Sequence, residues 1–294
     1  MSSSASSPRP FRSVLYVPAT NERALTKAAS LPCDAVILDL EDAVAPNEKA
    51  RARGIAREVL EMRHFGEKPV IVRVNGFAVD GESADLAEDL AAVLPAGPHA
   101  VLFPKIRFAA DAVRAEQALA ASLAPDAVRL WLMIETPQSV LDCAAIASLA
   151  AEEDARLEAL VLGTNDLAKE MRLVATPSRL AMLHALSAVI LAGRAYGLTV
   201  LDGVFGDLKN MQGFESEALQ GKGLGFDGKT LIHPSQIEPA NRIFSASEAE
   251  RIEAQAIVQA FEAPGNAGKA VLVVNGQMVE RLHYEQALRV LATG

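Results

Sequence analysis

Eight times along this chain a short run of β-branched and other apolar residues is followed by a helical or loop connection. The runs occupy residues 13–17, 35–40, 70–74, 100–103, 130–134, 159–162 and 199–201, with a weaker one at 223–226. Most are near-continuously apolar, as expected for parallel strands covered on both faces. The helical stretches, at 47–65 (closed by Gly66), 83–93, 109–123, 139–149 and 178–196, are rich in Ala and Leu and carry charged faces. Thr136 followed by Pro137 gives a helix-start signal, an N-capping hydroxyl with proline at the first helical position, and Thr176 with Pro177 repeats it. Eight such units over about 230 residues predict an α/β fold, a (β/α)8 TIM barrel. A doubly wound open sheet is the alternative, but no Gly-x-Gly-x-x-Gly follows the first strand.

The barrel makes a demand on the sequence, because chemistry in this architecture sits where strands end. Pro18 and Arg23 follow the first strand, and Asp39, Glu41 and Asp42 the second. Arg73 and Asn75, then Lys105, Glu135, Asn165 with Asp166, Asp202, and finally Lys229 with His233 follow the others. Packing alone does not account for apolar strands that repeatedly end in a charge. Beyond the barrel, a helix at 247–263, a Pro/Gly/Asn linker at 262–269, a strand at 270–274, a turn at Asn275 and Gly276 and a helix at 284–291 form an appendage too small to fold alone. The expected organisation is a frayed tail at 1–10, a catalytic barrel at 11–245 and a C-terminal lid at 246–294.

Composition narrows the function classes. The net charge of −9 disfavours nucleic acid as a partner. The first ten residues lack the apolar stretch of a secretory signal. Residues 180–192, the longest apolar helical stretch, are interrupted by His184 and fall short of the roughly 20 residues of a membrane span. Cys33 and Cys143 form no metal or disulfide pattern, so a reducing cytoplasm is the expected location.

Glu135 and Asp166 close neighbouring strands, so their carboxylates can converge on a cation. Two carboxylates completed by substrate oxygens and water suit Mg2+. The plainer alternatives are a rim charge for Glu135 and a helix cap for Asp166. Asp39, Glu41 and Asp42 can orient metal-bound water, or can cap a solvated loop. Arg73 is expected to point inward, where it needs a carboxylate, either the substrate's or one of these acids. Lys105 suits a Schiff base or the counter-charge of the acidic cluster, and His233 suits a structural role.

In combination, the motifs resemble the citrate lyase β-subunit-like family of the HpcH/HpaI aldolase/citrate lyase branch, which includes malyl-CoA and citramalyl-CoA lyases. They run in order: Arg12-Ser-Val-Leu-Tyr-Val-Pro18 with Glu22-Arg23, Ile37-Leu-Asp-Leu-Glu-Asp-Ala43, Val72-Arg-Val-Asn75, Phe103-Pro-Lys105, Ile134-Glu-Thr136, Gly163-Thr-Asn-Asp-Leu167, Gly225-Phe-Asp-Gly-Lys229 with Ile232-His-Pro-Ser-Gln-Ile237, and Asn275-Gly-Gln-Met278. The resemblance implies a barrel assembled as a homotrimer or larger, with Mg2+ on Glu135 and Asp166. It implies that Arg73 and Glu135 bind a 2-oxo acid, with Arg23 and Lys105 also at the substrate. It further implies a C-terminal segment covering a neighbour's active site and contributing an acid. That acid is usually aspartate and here is Glu280, and Asn210 stands where an acid is common.

The expected activity is Mg2+-dependent carbon–carbon cleavage of a 3-hydroxy-3-carboxy acyl-CoA thioester into a 2-oxo acid and an acyl-CoA. The alternatives are a pyruvate-type class II aldolase acting without a thioester, and a citrate lyase β subunit acting on an acyl-carrier-protein thioester.

Overall fold

The computed structural model describes residues 10–78, 83–174 and 178–292 and separates into two compact units, Phe11–Asn241 and the segment from Arg242 onward. Thr176 and Pro177, and residues 1–9 of the expected tail, lie outside the described residues. In the first unit eight parallel strands, β1 (Ser13–Pro18), β2 (Ala35–Asp39), β3 (Val70–Arg73), β4 (Ala100–Ile106), β5 (Arg129–Ile134), β6 (Leu157–Leu162), β7 (Thr199–Asp202) and β8 (Gly228–Leu231), close into a barrel in sequential order. The helices are α1 (Glu22–Ser30), α2 (Lys49–Glu61), α3 (Ala84–Val93), α4 (Ala109–Ala121), α5 (Pro137–Leu141), α6 (Cys143–Ser148), α7 (Thr164–Glu170), α8 (Leu183–Ala195) and α9 (Met211–Leu224). The expected (β/α)8 barrel is therefore the observed fold.

Local signals explain where these helices begin. The side chains of Asn21, Ser83 and Thr136 accept from the backbone N–H of Ala24, Leu86 and Ser139, satisfying donors a helix start leaves free. The stretch 139–149 is broken into α5 and α6 at Asp142, whose carboxylate accepts instead from the N–H of Ala109, the first residue of α4. Ile37, Ile71, Leu102, Trp131, Met133, Val161 and Leu201 meet in the barrel interior, and Phe11 packs edge-on to Trp131 at 5.1 Å.

The eighth strand differs from expectation. Residues 223 and 224 finish α9, and Gly225, at φ 109°, caps it in the left-handed region. The strand starts at Gly228, where a Cβ would lie 1.9 Å from the Phe11 carbonyl oxygen, so only glycine fits. It then carries Lys229 and Thr230, both buried, and for that reason lacks an apolar signature.

The second unit contains the end of α10 (Ile237–Phe244), then α11 (Glu248–Glu262), the antiparallel hairpin β9 (Val271–Val274) and β10 (Gln277–Glu280), and α12 (Arg281–Ala292). Ser247 and Glu250 form a capping box at α11. Asn275 and Gly276 both have positive φ and turn the hairpin in two residues. Ala254, Ile257, Phe261, Leu272, Val279 and Ala287 form this unit's own apolar cluster.

Candidate active site

The barrel register builds the site. Asp39 and Arg73 end adjacent strands and are register partners. The Arg73 fork donates from Nε to Asp39 Oδ1 at 2.8 Å and from Nη2 to Oδ2 at 2.5 Å. Its Nη1 lies 3.0 Å from Glu41 Oε2, yet that buried oxygen has no hydrogen-bond partner. Asp39 also organises its own loop, accepting from the N–H of Glu41 and Ala43. Of the two partners open to Arg73, these acids are the ones it meets within the chain. Tyr16 lies under the guanidinium at 5.0 Å, and burial pushes its phenol above its ordinary range.

Glu135 follows β5 directly and is 1% exposed. Lys105 reaches it from the neighbouring strand in an unusual way. The β4–β5 register shifts between Phe103 and Ile106, and Lys105 there has φ 57°, in the left-handed region. Its backbone N–H donates to Glu135 Oε1 at 2.6 Å. Its ammonium donates to Asp166 Oδ2 at 2.6 Å and lies 3.4 Å from Asp42, 3.5 Å from Glu41 and 3.9 Å from Glu135. Asp166, in the first turn of α7 after β6, also interacts with Glu135.

Charge states follow from this crowding. Burial pushes the Glu135 carboxyl up to about 7 against the pull of Lys105, with Glu41 and Asp166 pushing the same way. Burial also raises Glu41, opposed by Arg73 and Lys105. Burial alone would lower Lys105, but its bond to Asp166 and the charges of Glu135, Glu41 and Asp42 hold it above the usual lysine range. Asp166 is likewise opposed by burial, and its bond and charge interaction with Lys105 hold it below the usual carboxylate range.

The donor set fits Mg2+. Glu135 and Asp166 are hard oxygen donors on adjacent strand ends, and the carboxylates here already gather around one cation, the Lys105 ammonium. Among the described residues no group of three His, Cys, Asp or Glu could hold a metal. A bound Mg2+ would therefore rely on water and substrate for most of its ligands.

Other sequence candidates lie elsewhere or have structural work. Asp42 is exposed at the rim. Arg23 is exposed on the first turn of α1. His233 accepts through Nδ1 from the Ser235 N–H, and Asn210 caps α9 through Gly213. Lys229, fully buried, bonds Asp202, Gly203 O and Glu217, with Arg179 on the other oxygen of Asp202. Glu280 ends β10, and its N–H donates to His283 Nδ1. Sequence reading missed Gly163 as more than a motif member. A Cβ there would lie 2.4 Å from Glu135 Cβ, so the glycine makes room for the carboxylate side chain.

Comparison with known proteins agrees with this architecture. The profile of HpcH/HpaI aldolase/citrate lyase matches residues 12–234, more than half of the chain. The chain belongs to this family. Within the HpcH/HpaI family it is 47% identical, over 283 residues, to a (3S)-malyl-CoA thioesterase of Cereibacter sphaeroides, covering 96% of this chain and 94% of that one. It is 34% identical, over 289 residues, to citrate lyase subunit beta of Escherichia coli K12, covering 97% and 93%. Its fold resembles CitE from Mycobacterium tuberculosis in complex with magnesium, acetoacetate and coenzyme A, with a TM-score of 0.73, 28% identity and coverage of 96% and 97%. Among the described residues no helix is long and apolar enough to cross a membrane.

Proposed function

We propose that this chain is a Mg2+-dependent enzyme that hydrolyses the CoA thioester of a malyl-type hydroxy dicarboxylic acid. One observation carries the reading. Glu135, Asp166, Lys105, Glu41 and Arg73 converge at one mouth of the barrel, in a chain similar over nearly its whole length to (3S)-malyl-CoA thioesterases. Glu135 and Asp166 would hold the ion, which when bound polarises a substrate oxygen beside the reacting carbon.

The chain's own residues do the rest. The Arg73 guanidinium keeps N–H groups beyond those given to Asp39 and binds the free carboxylate of the substrate. Lys105 adds positive charge beside it. Glu41 Oε2, buried and without a hydrogen bond, accepts the proton of the attacking water, and its raised pKa strengthens it as a base. The water oxygen bonds to the thioester carbon, the carbon–sulfur bond breaks, and the thiolate takes a proton. In this reading Glu280 of a neighbouring copy, in a homotrimer or larger assembly, is the donor, and Arg23 binds the anionic part of CoA.

The carbon–carbon lyase is the second reading, supported by likeness to citrate lyase subunit beta. There Glu41 Oε2 would remove the substrate hydroxyl proton, the carbon–carbon bond would break to a 2-oxo acid and a thioester enolate, and Glu280 of a neighbouring copy would give the enolate carbon a proton to yield the acyl-CoA. Incubation with (3S)-malyl-CoA, with and without Mg2+, separates the two. Hydrolysis releases free CoA thiol and malate in equal amounts, whereas lysis releases glyoxylate and acetyl-CoA. No Mg2+-dependent conversion of any kind would overturn both.

A further inference from the structure

The loop after β2 aims Glu41, and the question is what fixes that loop. Leu40 N–H donates to Arg73 O, and the N–H groups of Glu41 and Ala43 go to Asp39. The carbonyls of Leu40 and Glu41 both accept from the Lys49 ammonium, each at 2.6 Å. The third Lys49 contact is Asn75 Oδ1 at 2.8 Å. An ammonium has three N–H donors, so Lys49 is fully engaged by these three neutral oxygens. The two carbonyls belong to the peptide units on either side of the Glu41 Cα. Peptide units are planar, so holding both restrains φ and ψ of Glu41 and with them the direction of its Cα–Cβ bond, from which the carboxyl reaches Arg73 and Lys105.

Lys49 is itself held from behind. Asn75 Nδ2 donates to Leu40 O at 3.2 Å and to Asp89 Oδ2 at 2.6 Å, and its backbone N–H donates to the same Asp89 oxygen at 2.8 Å. Asp89 is fully buried, and its Oδ1 accepts from Arg53 Nε at 2.7 Å. Arg53, buried on α2, also pairs with Asp85 and Glu88 at the surface of α3. A polar relay thus runs from two helices outside the barrel to the two peptide units around Glu41.

We propose that Lys49 is a positioning residue of the active site. Its ammonium, seated by the Arg53–Asp89–Asn75 relay, sets the backbone of Glu41 and so aims the Glu41 carboxyl at the reacting centre beside Arg73. The kinetic part of this inference rests on the role given to Glu41 above. The structural part does not.

Lys49→Met keeps the aliphatic stem and removes the three donors. A misplacement of about 1 Å costs roughly 100-fold in rate, so kcat on (3S)-malyl-CoA should fall on that order with KM within about threefold. Pyruvate and Mg2+ affinities should hold, since Arg73–Asp39, Glu135 and Asp166 make no contact with Lys49. Amide exchange in the segment 40–45 should quicken, with β4 to β6 unchanged. Lys49→Cys should behave in the same way, and alkylation with bromoethylamine, which rebuilds an ammonium of nearly lysine length, should restore both kcat and exchange protection. The natural Cys33 and Cys143 are buried. Normal kcat in Lys49→Met, or a joint loss of kcat, KM, cation affinity and thermal stability, overturns the positioning role. If the wild-type enzyme does not turn over malyl-CoA, the functional reading fails by itself. Exchange then decides the positioning claim, which faster exchange confined to 40–45 supports and unchanged exchange overturns.

Discussion

Gly163→Ala tests how the Glu135 carboxylate, proposed above to hold Mg2+, is housed. The added Cβ would lie 2.4 Å from Glu135 Cβ and 2.5 Å from Glu135 Oε2. Ordinary carbon–carbon contact is about 3.5–4.0 Å, so Glu135 or the α7 start must yield by more than about 1 Å. The first atom in the way is Cβ rather than a flexible tip, so a rotamer change alone does not clear it. Overpacking of this kind costs about 1–3 kcal/mol, and a displacement near 1 Å is worth roughly 100-fold in rate. Gly193→Ala is the control. Its Cβ would lie 2.3 Å from Val200 Cγ2, a comparable clash between α8 and β7 that involves no site residue. Both variants should lose thermal stability, but only Gly163→Ala should lose Mg2+ affinity, read by titration calorimetry, together with turnover. Wild-type Mg2+ affinity and turnover in a folded Gly163→Ala protein would refute the argument.

Other expectations follow from the same geometry. Burial gives Glu135 a higher pKa folded, about 7, than unfolded, so the native state holds the extra proton and this group's contribution to stability falls as pH rises from about 4.5 to 7. In metal-free buffer Glu135→Gln should therefore be more stable than wild type at pH 8, by up to about 3 kcal/mol in denaturant unfolding, with the advantage gone at pH 4; equal stability at both pH values would contradict the burial. Arg73→Lys loses the paired bonds to Asp39, and both stability and pyruvate affinity should fall, the latter by about ten- to a hundred-fold; unchanged pyruvate binding would leave Arg73 a purely structural partner of Asp39. Lys229→Met removes the buried cation shared by Asp202 and Glu217 and leaves Arg179 to pair with both, so it should cost less than the roughly 3–5 kcal/mol of an uncompensated buried charge, read by denaturant unfolding. Mixing inactive Glu280→Gln and Glu135→Gln chains should regenerate turnover in mixed oligomers, and failure in proven mixed oligomers would place Glu280 in its own subunit's site.

Much of this was legible in the chain because seven of the strands are buried on both faces and read as apolar runs. The eighth was misplaced because β8 is built from Gly228, Lys229 and Thr230, whose burial is made possible by ion pairs and a hydrogen bond rather than by apolar character. The site acids could be picked out by their places after strand ends. That Arg73 and Lys105 could pair with these acids was legible too, but which acid meets which was not, because that depends on register: Asp39 opposite Arg73 follows from β2–β3 pairing, which no local pattern encodes. Lys105 was visible as a charge, but not its left-handed backbone, which lets one residue bind Glu135 through its N–H and Asp166 through its ammonium. Lys49 was hidden altogether, since a lysine at a helix start reads as surface charge.

The most direct test of the central claim is to follow uniformly 13C-labelled (3S)-malyl-CoA by NMR in 18O-enriched water with the wild-type enzyme and Mg2+. The account predicts malate with every carbon–carbon coupling intact, an 18O isotope shift on the carboxylate derived from the thioester, and free CoA, all requiring Mg2+. Glyoxylate and acetyl-CoA signals, with the central coupling lost, would contradict hydrolysis and return the reaction to carbon–carbon cleavage.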